Sequence, residues 1–147
     1  MSSTTFSGPV TSTNGFIGAL TGDVVNPTYT HTPTAANATA SLTAAQVATG
    51  YIKSTSAAST TLTLPTGTLL GTELSATQGT VFDLYIDNTA GASTVTMAVA
   101  VNGILSALAA AEAGGSGLLT VPADATGQAR FTLMFSSATA YTFTRTA

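Results

Sequence analysis

Much of the chain consists of short runs in which apolar and polar residues alternate. This alternation constrains the fold more than any other feature of the sequence. Residues 81–101 read VFDLYIDNTAGASTVTMAVAV, in which Phe82, Leu84 and Ile86 would share one side of a strand. The small polar residues Asn88–Gly91 then predict a turn. Runs of this kind recur about every ten residues, and about seven or eight short strands at that spacing predict an all-β fold, an antiparallel β-sandwich or jelly roll.

The same alternation predicts the remaining strands. They are expected at 51–53, 60–65, 93–101, 118–122, 129–135 and 141–146. Weaker patterns predict two short helical segments, one after Ser41 and one within 66–79. Asn102-Gly103 predicts a hairpin turn, and residues 104–113 fit a strand or a helix.

Charge is scarce throughout the chain. Charged residues make up 6% of the sequence, against roughly 25% in an ordinary globular domain, and threonine, alanine, serine and glycine take their place. Such a surface provides little repulsion between copies, so we expect much of it to be covered in the working state. The alternative is a monomer kept soluble by its hydroxyl groups.

The few charges exclude two classes of partner. The net charge is −3, and Lys53, Arg130 and Arg145 are the only basic side chains, too few and too scattered to neutralise a nucleic acid or an anionic membrane. The nearly uncharged stretch 94–114 is not expected to span a membrane, because Asn102-Gly103 interrupts it. The part before that turn alternates as a strand does, with one face formed by Val95, Met97, Val99 and Val101.

Residues 1–40 differ in composition from the rest. They contain three prolines, frequent glycine and asparagine, and apolar residues that occur singly. Such spacing cannot form a core, whereas the aromatic residues favour docking on another surface. We therefore predict an extended N-terminal arm, residues 1–40, followed by a β-sandwich or jelly-roll domain, residues 41–147.

No set of residues predicts catalysis, a cofactor or a bound metal, so we do not expect an enzyme. The single histidine, His31, lies in the predicted arm and is interpreted as a solvated or interface residue. The chain has no cysteine. Asp83 and Asp87 would lie on one strand face with Tyr85, about 13 Å apart, too far for one carboxylate pair, and are interpreted as solvated. A calcium ion there would need further oxygen ligands.

Two parts of the sequence resemble virion proteins of tailed bacteriophages. The segment TFSGPVTSTNGFIG (5–18) is similar to the arm that opens many of these proteins. The later series TLTLPTG, GTVFDLYIDNTAGASTVTM and VPADATGQARFTLMFSSATAYTFTR resembles head decoration and head-fibre proteins. The stretch ILSALAAAEAGGSG departs from that pattern, because it is longer and richer in alanine.

This resemblance implies a capsid decoration (cement) protein on the outer capsid surface of the virion. Such a protein would bind the major capsid protein shell and itself as a homotrimer. The arm residues expected to contact the capsid are Phe6, Pro9, Val10, Phe16, Ile17 and Leu20. One alternative is a head or tail fibre or receptor-binding protein that binds host glycans, for which Tyr29 and Tyr85 are candidate aromatic platforms. Another is a small enzyme or inhibitor on a jelly roll.

Overall fold

The computed structural model describes residues 30–106 and 119–147. Ten strands and two α-helices form within these residues. The strands are β1 Thr34–Ala35, β2 Ala40–Ser41, β3 Tyr51–Lys53, β4 Thr60–Thr63, β5 Val81–Asp87, β6 Val95–Ala98, β7 Gly103–Leu105, β8 Thr120–Val121, β9 Gln128–Ser137 and β10 Ala140–Arg145. The helices are α1 Ala44–Ala48 and α2 Gly67–Glu73.

The strands form two mixed sheets. The first has six strands in the order β1-β3-β5-β9-β10-β7, and the second has four in the order β2-β4-β6-β8. In the six-stranded sheet β1, β3 and β5 are mutually parallel, β9 is antiparallel to both β5 and β10, and β7 is parallel to β10. In the four-stranded sheet β2, β4 and β6 are parallel and β8 is antiparallel to β6.

The chain changes sheet at every step from β1 to β8. A strand that leaves one sheet, crosses to the other and returns runs in the same direction as before. Parallel pairing requires such long connections, because a tight turn can join only antiparallel neighbours. Here the opposite sheet and the helices α1 and α2 supply the connections.

The strand-rich fold with two sheets is confirmed, whereas the pairing differs from the antiparallel arrangement that we expected. Of the eight pairings between described strands, five are parallel. The difference arises at two turns. Asn88–Gly91 joins β5 to β6 and Asn102-Gly103 joins β6 to β7, and both turns lead from one sheet to the other. Asn102-Gly103 is therefore not the hairpin turn that its sequence predicts, whereas Asn88–Gly91 forms a turn as expected but leads to the other sheet.

One hydrophobic core lies between the sheets and takes residues from both. The alternation had predicted most of its members. They include Leu62, Leu64, Leu84, Ile86, Val95, Met97, Phe131, Leu133, Phe135, Tyr141 and Phe143, all buried. Phe82 is half-buried, and Val101 is 72% exposed because β6 already ends at Ala98.

Both predicted helices are present and both begin at a threonine cap. The Thr43 hydroxyl accepts a hydrogen bond from the Gln46 amide, and the Gln46 side chain accepts one from the Thr43 amide. This reciprocal pair satisfies two amides that a helix start would otherwise leave unpaired. Thr66 caps α2 by accepting from the Leu69 amide.

The predicted arm and the two sheets overlap. The expected boundary between residues 40 and 41 falls inside β2, and β1 pairs with β3. Ala36 is buried, and the Thr39 hydroxyl accepts a hydrogen bond from the Thr61 amide. From Thr34 onward the described chain therefore contributes strands to the β domain.

Candidate functional site

The outer face of the six-stranded sheet carries three large polar side chains side by side. Tyr51 on β3 is paired with Tyr85 on β5, and Tyr85 is paired with Arg130 on β9. Residues paired across strands point to the same face. The Tyr85 side chain is the most central of the three and is 36% exposed. We call the surface formed by His31, Tyr51, Asp83, Tyr85, Asp87 and Arg130 the tyrosine cleft.

Asp87 lies at one end of this cleft and is not solvated as we had expected, since only 6% of it is exposed. Its Oδ2 accepts a hydrogen bond of 2.6 Å from the Tyr51 hydroxyl. Its Oδ1 accepts two more, of 2.9 Å from the Thr89 amide and 2.6 Å from the Thr89 hydroxyl. The prediction failed here because the partners come from β3 and from the turn after β5, which cover the carboxylate.

These contacts shift two pKa values. Burial alone would raise the pKa of Asp87, but the hydrogen bonds from Thr89 and Tyr51 and the charge of Lys53 outweigh it and lower the pKa below 3.8. The hydrogen bond to Asp87, burial and the negative charge of Asp87 raise the pKa of Tyr51 to about 12. At neutral pH the pair is therefore a carboxylate and a neutral phenol.

His31 and Asp83 form the other end of the cleft. Nδ1 of the exposed His31 lies 3.0 Å from the Thr49 carbonyl oxygen, and its ring centroid lies 5.7 Å from that of Tyr85. Asp83 is half-buried, and its Oδ1 accepts a hydrogen bond of 2.6 Å from the Thr132 hydroxyl. His31 is thus held beside Tyr85 by the residue that follows α1, and Asp83 is held by β9.

Two depressions adjoin the Tyr85 ring. One has a volume of 220 Å³ and lies between Tyr51, Asp87, Gln128 and Arg130. The other has a volume of 780 Å³ and lies between His31, Tyr51, Asp83 and Tyr85. The larger depression falls in the range of small-molecule binding pockets, about 300–1,000 Å³.

A row of exposed apolar side chains crosses the same sheet farther along the strands. Val81, Met134, Thr142 and Ile104 are paired in turn across β5, β9, β10 and β7. Val81 is 59% exposed, and Met134 and Ile104 are each 54% exposed. We call these four residues the apolar row. Its only polar member is a threonine, so it can be covered by another protein without burying a charge.

The outer face of the four-stranded sheet is different, because hydroxyl groups dominate it. Thr61, Thr96 and Thr120 are paired across β4, β6 and β8, and Thr63 is paired with Ser41. Each of these threonines is half-buried. The paired residues on this face include neither an aromatic ring nor a carboxylate, in contrast to the tyrosine cleft.

Sequence reasoning located part of the cleft. It placed Asp83, Tyr85 and Asp87 on one face, as the structure does, but it did not single out Tyr51 or Arg130. The sequence placed Tyr51 and Arg130 in strands, but it did not show that these two strands lie on either side of the strand that carries Tyr85. The predicted capsid contacts Phe6, Pro9, Val10, Phe16, Ile17 and Leu20 lie outside the described residues, and so does Tyr29.

Comparisons with protein-family models, with curated proteins and with solved structures found no match. Within residues 30–106 and 119–147, no group of three or more histidine, aspartate or glutamate side chains could hold a metal ion. None of the helices in this part of the chain is long and apolar enough to cross a membrane.

Proposed function

We propose that this protein is a bacteriophage virion structural protein, a capsid decoration (cement) protein that binds the outer surface of the major capsid protein shell. The observation that carries the proposal is the apolar row on the six-stranded sheet. Three large apolar side chains are more than half exposed there, in a chain in which only 6% of residues are charged. Exposed apolar groups aligned in this way mark a surface that another protein covers.

The energy available from such a contact is modest for one copy. Complete burial of a Val, Ile or Met side chain is worth about 1.5–3 kcal/mol, so covering a half-exposed one contributes roughly 1 kcal/mol. A homotrimer would repeat the contact and increase the avidity for a shell with many equivalent sites. A protein that binds only the assembled shell stabilises that shell by mass action.

The arm supplies the second contact in this proposal. Residues 1–29 precede the described chain and include the apolar residues Phe6, Phe16 and Ile17. We propose that they dock on the major capsid protein while the β domain remains folded outside the shell. The acidic chain, with a net charge of −3, fits an exterior position away from packaged DNA.

The test is a cosedimentation assay with phage heads that lack this protein. The double variant Val81→Lys/Met134→Lys places two charges in the apolar row and should abolish binding to heads or formation of the trimer. A matched control, Thr68→Lys/Gln78→Lys, adds the same charge at two exposed positions on the chain and should bind like the wild type. Wild-type binding and trimer formation by the row variant would contradict the proposal.

The fold itself we describe as a β-sandwich in which parallel pairs predominate among the described strands. Support comes from the single core between the two sheets. A jelly roll consists of two antiparallel Greek keys, and the three antiparallel pairings, β5–β9, β9–β10 and β6–β8, are the part of this fold that resembles it.

A second candidate function is a fibre or receptor-binding protein of the head or tail, and the tyrosine cleft favours it. Immunogold electron microscopy of virions distinguishes the two. Antibody raised against residues 30–147 should label the whole head if the protein is a decoration protein. Label at one vertex or along the tail would replace that function with the fibre function, and unlabelled virions would contradict both.

A further inference from the structure

We infer that the tyrosine cleft binds a neutral saccharide. This site is separate from the apolar row, so the inference does not rest on the decoration function, and it deepens the second candidate function by naming the class of ligand. It depends on three features of the cleft: an exposed aromatic ring beside a cavity, hydrogen-bonding groups around that ring, and a balance of charge.

The Tyr85 ring provides the stacking surface. It is 36% exposed, and the 780 Å³ depression opens beside it. Its strand is held on both sides, by Tyr51 on β3 and Arg130 on β9, and the Tyr85 amide donates to the Gly50 carbonyl oxygen. A sugar ring has one face made largely of C–H groups, which packs on an aromatic face, and a rigid tyrosine loses little conformational entropy in doing so.

Hydrogen-bonding groups surround this ring. Asp83 and Asp87 each have a carboxylate held by protein donors, Thr132 in one case and Tyr51 and Thr89 in the other. The half-buried Asp83 carboxylate can accept hydrogen bonds from a ligand without first reorganising, which lowers the entropic cost of binding, whereas the covered Asp87 carboxylate holds the Tyr51 hydroxyl in place. Arg130 uses its Nε for the Thr146 hydroxyl, and the residue lines the smaller depression, where a guanidinium group can only donate.

The charges in and around the cleft nearly cancel. Asp83 and Asp87 contribute two negative charges and Arg130 one positive charge, and Lys53, which lies outside the cleft and is paired with Asp87 across the strands, contributes a second positive charge nearby. A strongly ionic ligand would meet attraction and repulsion in equal measure. A quaternary ammonium group, which aromatic cages often bind, would lie next to Arg130. Hydroxyl groups both donate and accept hydrogen bonds, so a neutral polyhydroxyl ligand can donate to Asp83 and accept from Arg130.

The test is a titration of the full chain followed by heteronuclear NMR. The probes are glucose, galactose, mannose, N-acetylglucosamine, lactose and maltose, with choline as a cationic comparison. We expect at least one neutral sugar to shift the amide signals of Tyr51, Tyr85, Asp87 and Arg130. The inference would be overturned if no sugar shifted any signal, if the shifts lay only outside the tyrosine cleft, or if choline bound more tightly than every sugar.

Variants of Tyr85 separate stacking from a general effect on the fold. Tyr85→Ala removes the ring and should weaken binding about tenfold or more, whereas Tyr85→Phe keeps the ring and should bind within about threefold of the wild type. Because Tyr85 lies on the surface, both variants should melt within a few degrees of the wild type. Arg130→Gln should weaken sugar binding without strengthening that of choline. Equal affinity of Tyr85→Ala and the wild type would overturn the inference.

Discussion

At the scale of single residues, Asp87 shows how far the fold changes the chemistry of a side chain. The sequence places it on the polar side of an alternating strand, where a solvated carboxylate is the ordinary expectation. In the folded chain it is 6% exposed and accepts three hydrogen bonds. A buried charge is tolerated only when it is fully hydrogen-bonded, so each of these partners is needed for stability.

We predict that Asp87→Asn lowers the free energy of unfolding at pH 7 by about 1–3 kcal/mol, because an amide has only one acceptor oxygen for the three donors from Tyr51 and Thr89 and lacks the negative charge that strengthens these hydrogen bonds. The folded-state pKa of Asp87 lies below 3.8, so the folded protein binds this proton less tightly than the unfolded chain. The stabilisation by Asp87 is therefore present above the unfolded pKa and is lost as the pH falls through the folded pKa.

Urea unfolding from pH 7 down to about pH 3 measures this difference. The difference in the free energy of unfolding between the wild type and Asp87→Asn should be constant near neutral pH and should become smaller at acidic pH. Asp83→Asn is the control. It affects one hydrogen bond, from Thr132, and should lower the free energy of unfolding less than Asp87→Asn does. A gap that grows as the pH falls would contradict the assignment.

Tyr51 makes the stability of the protein depend on pH in the alkaline range as well. Its folded-state pKa is raised from 10.0 to about 12, so the folded protein keeps the phenol proton longer than the unfolded chain. This contribution to stability is present below pH 10 and is lost as the pH rises toward 12.

At the scale of elements, helix α2 shows packing that outweighs helix propensity. Glycine is a poor helix residue, yet Gly67 and Gly71 both lie in this helix and both are buried. A Cβ atom at Gly71 would collide with the Ala138 carbonyl oxygen, and one at Gly67 with that of Thr139. The helix therefore lies directly on the turn between β9 and β10, and only glycine permits this approach.

We predict that Gly71→Ala destabilises the protein by about 2 kcal/mol, although alanine is the better helix former by about 1 kcal/mol. The reason is that the obstructing atom belongs to the backbone and cannot move aside as a flexible side chain could. Thermal unfolding measures the effect. Thr68→Ala, at an exposed position of the same helix, is the control and should be neutral or slightly stabilising. An unchanged or raised melting temperature for Gly71→Ala would show that the contact is looser than described.

At the scale of the whole molecule, the alternation of the chain between two sheets makes the first described strands part of the fold. β1 and β2 extend the parallel sets of the two sheets, and the connection between them is tied down by hydrogen bonds. The Ala36 amide donates to the Lys53 carbonyl oxygen, and the Asn37 side chain accepts from the Thr55 amide. Removal of these strands should therefore lower the stability of the fold, even though the sequence assigns β1 and the first residue of β2 to an arm.

Two truncations test this prediction. A chain of residues 30–147 should melt within a few degrees of the full chain. A chain of residues 41–147 loses β1, half of β2, the buried Ala36 and at least three cross-strand hydrogen bonds, among them those made with Ala36, Asn37 and Thr39. At about 1 kcal/mol for each bond it should melt about 10 °C lower. Equal melting of the two truncated chains would support the boundary between residues 40 and 41.

The sequence alone determined what depends on neighbours along the chain. The alternation identified Leu62, Leu84 and Phe131 as inward residues, and small polar residues located the turn at Asn88–Gly91. Strand period and turn chemistry are local, so they can be read without knowing which strands are adjacent.

Only the tertiary structure decided which strands meet. The turn chemistry of Asn88–Gly91 serves equally for a hairpin and for a crossing between sheets, and the choice depends on how distant apolar faces are buried together. The hydrogen bond between Tyr51 and Asp87 joins residues 36 positions apart, and it exists because β3 pairs in parallel with β5. The tyrosine cleft and the apolar row both follow from that strand order, which no local pattern specifies.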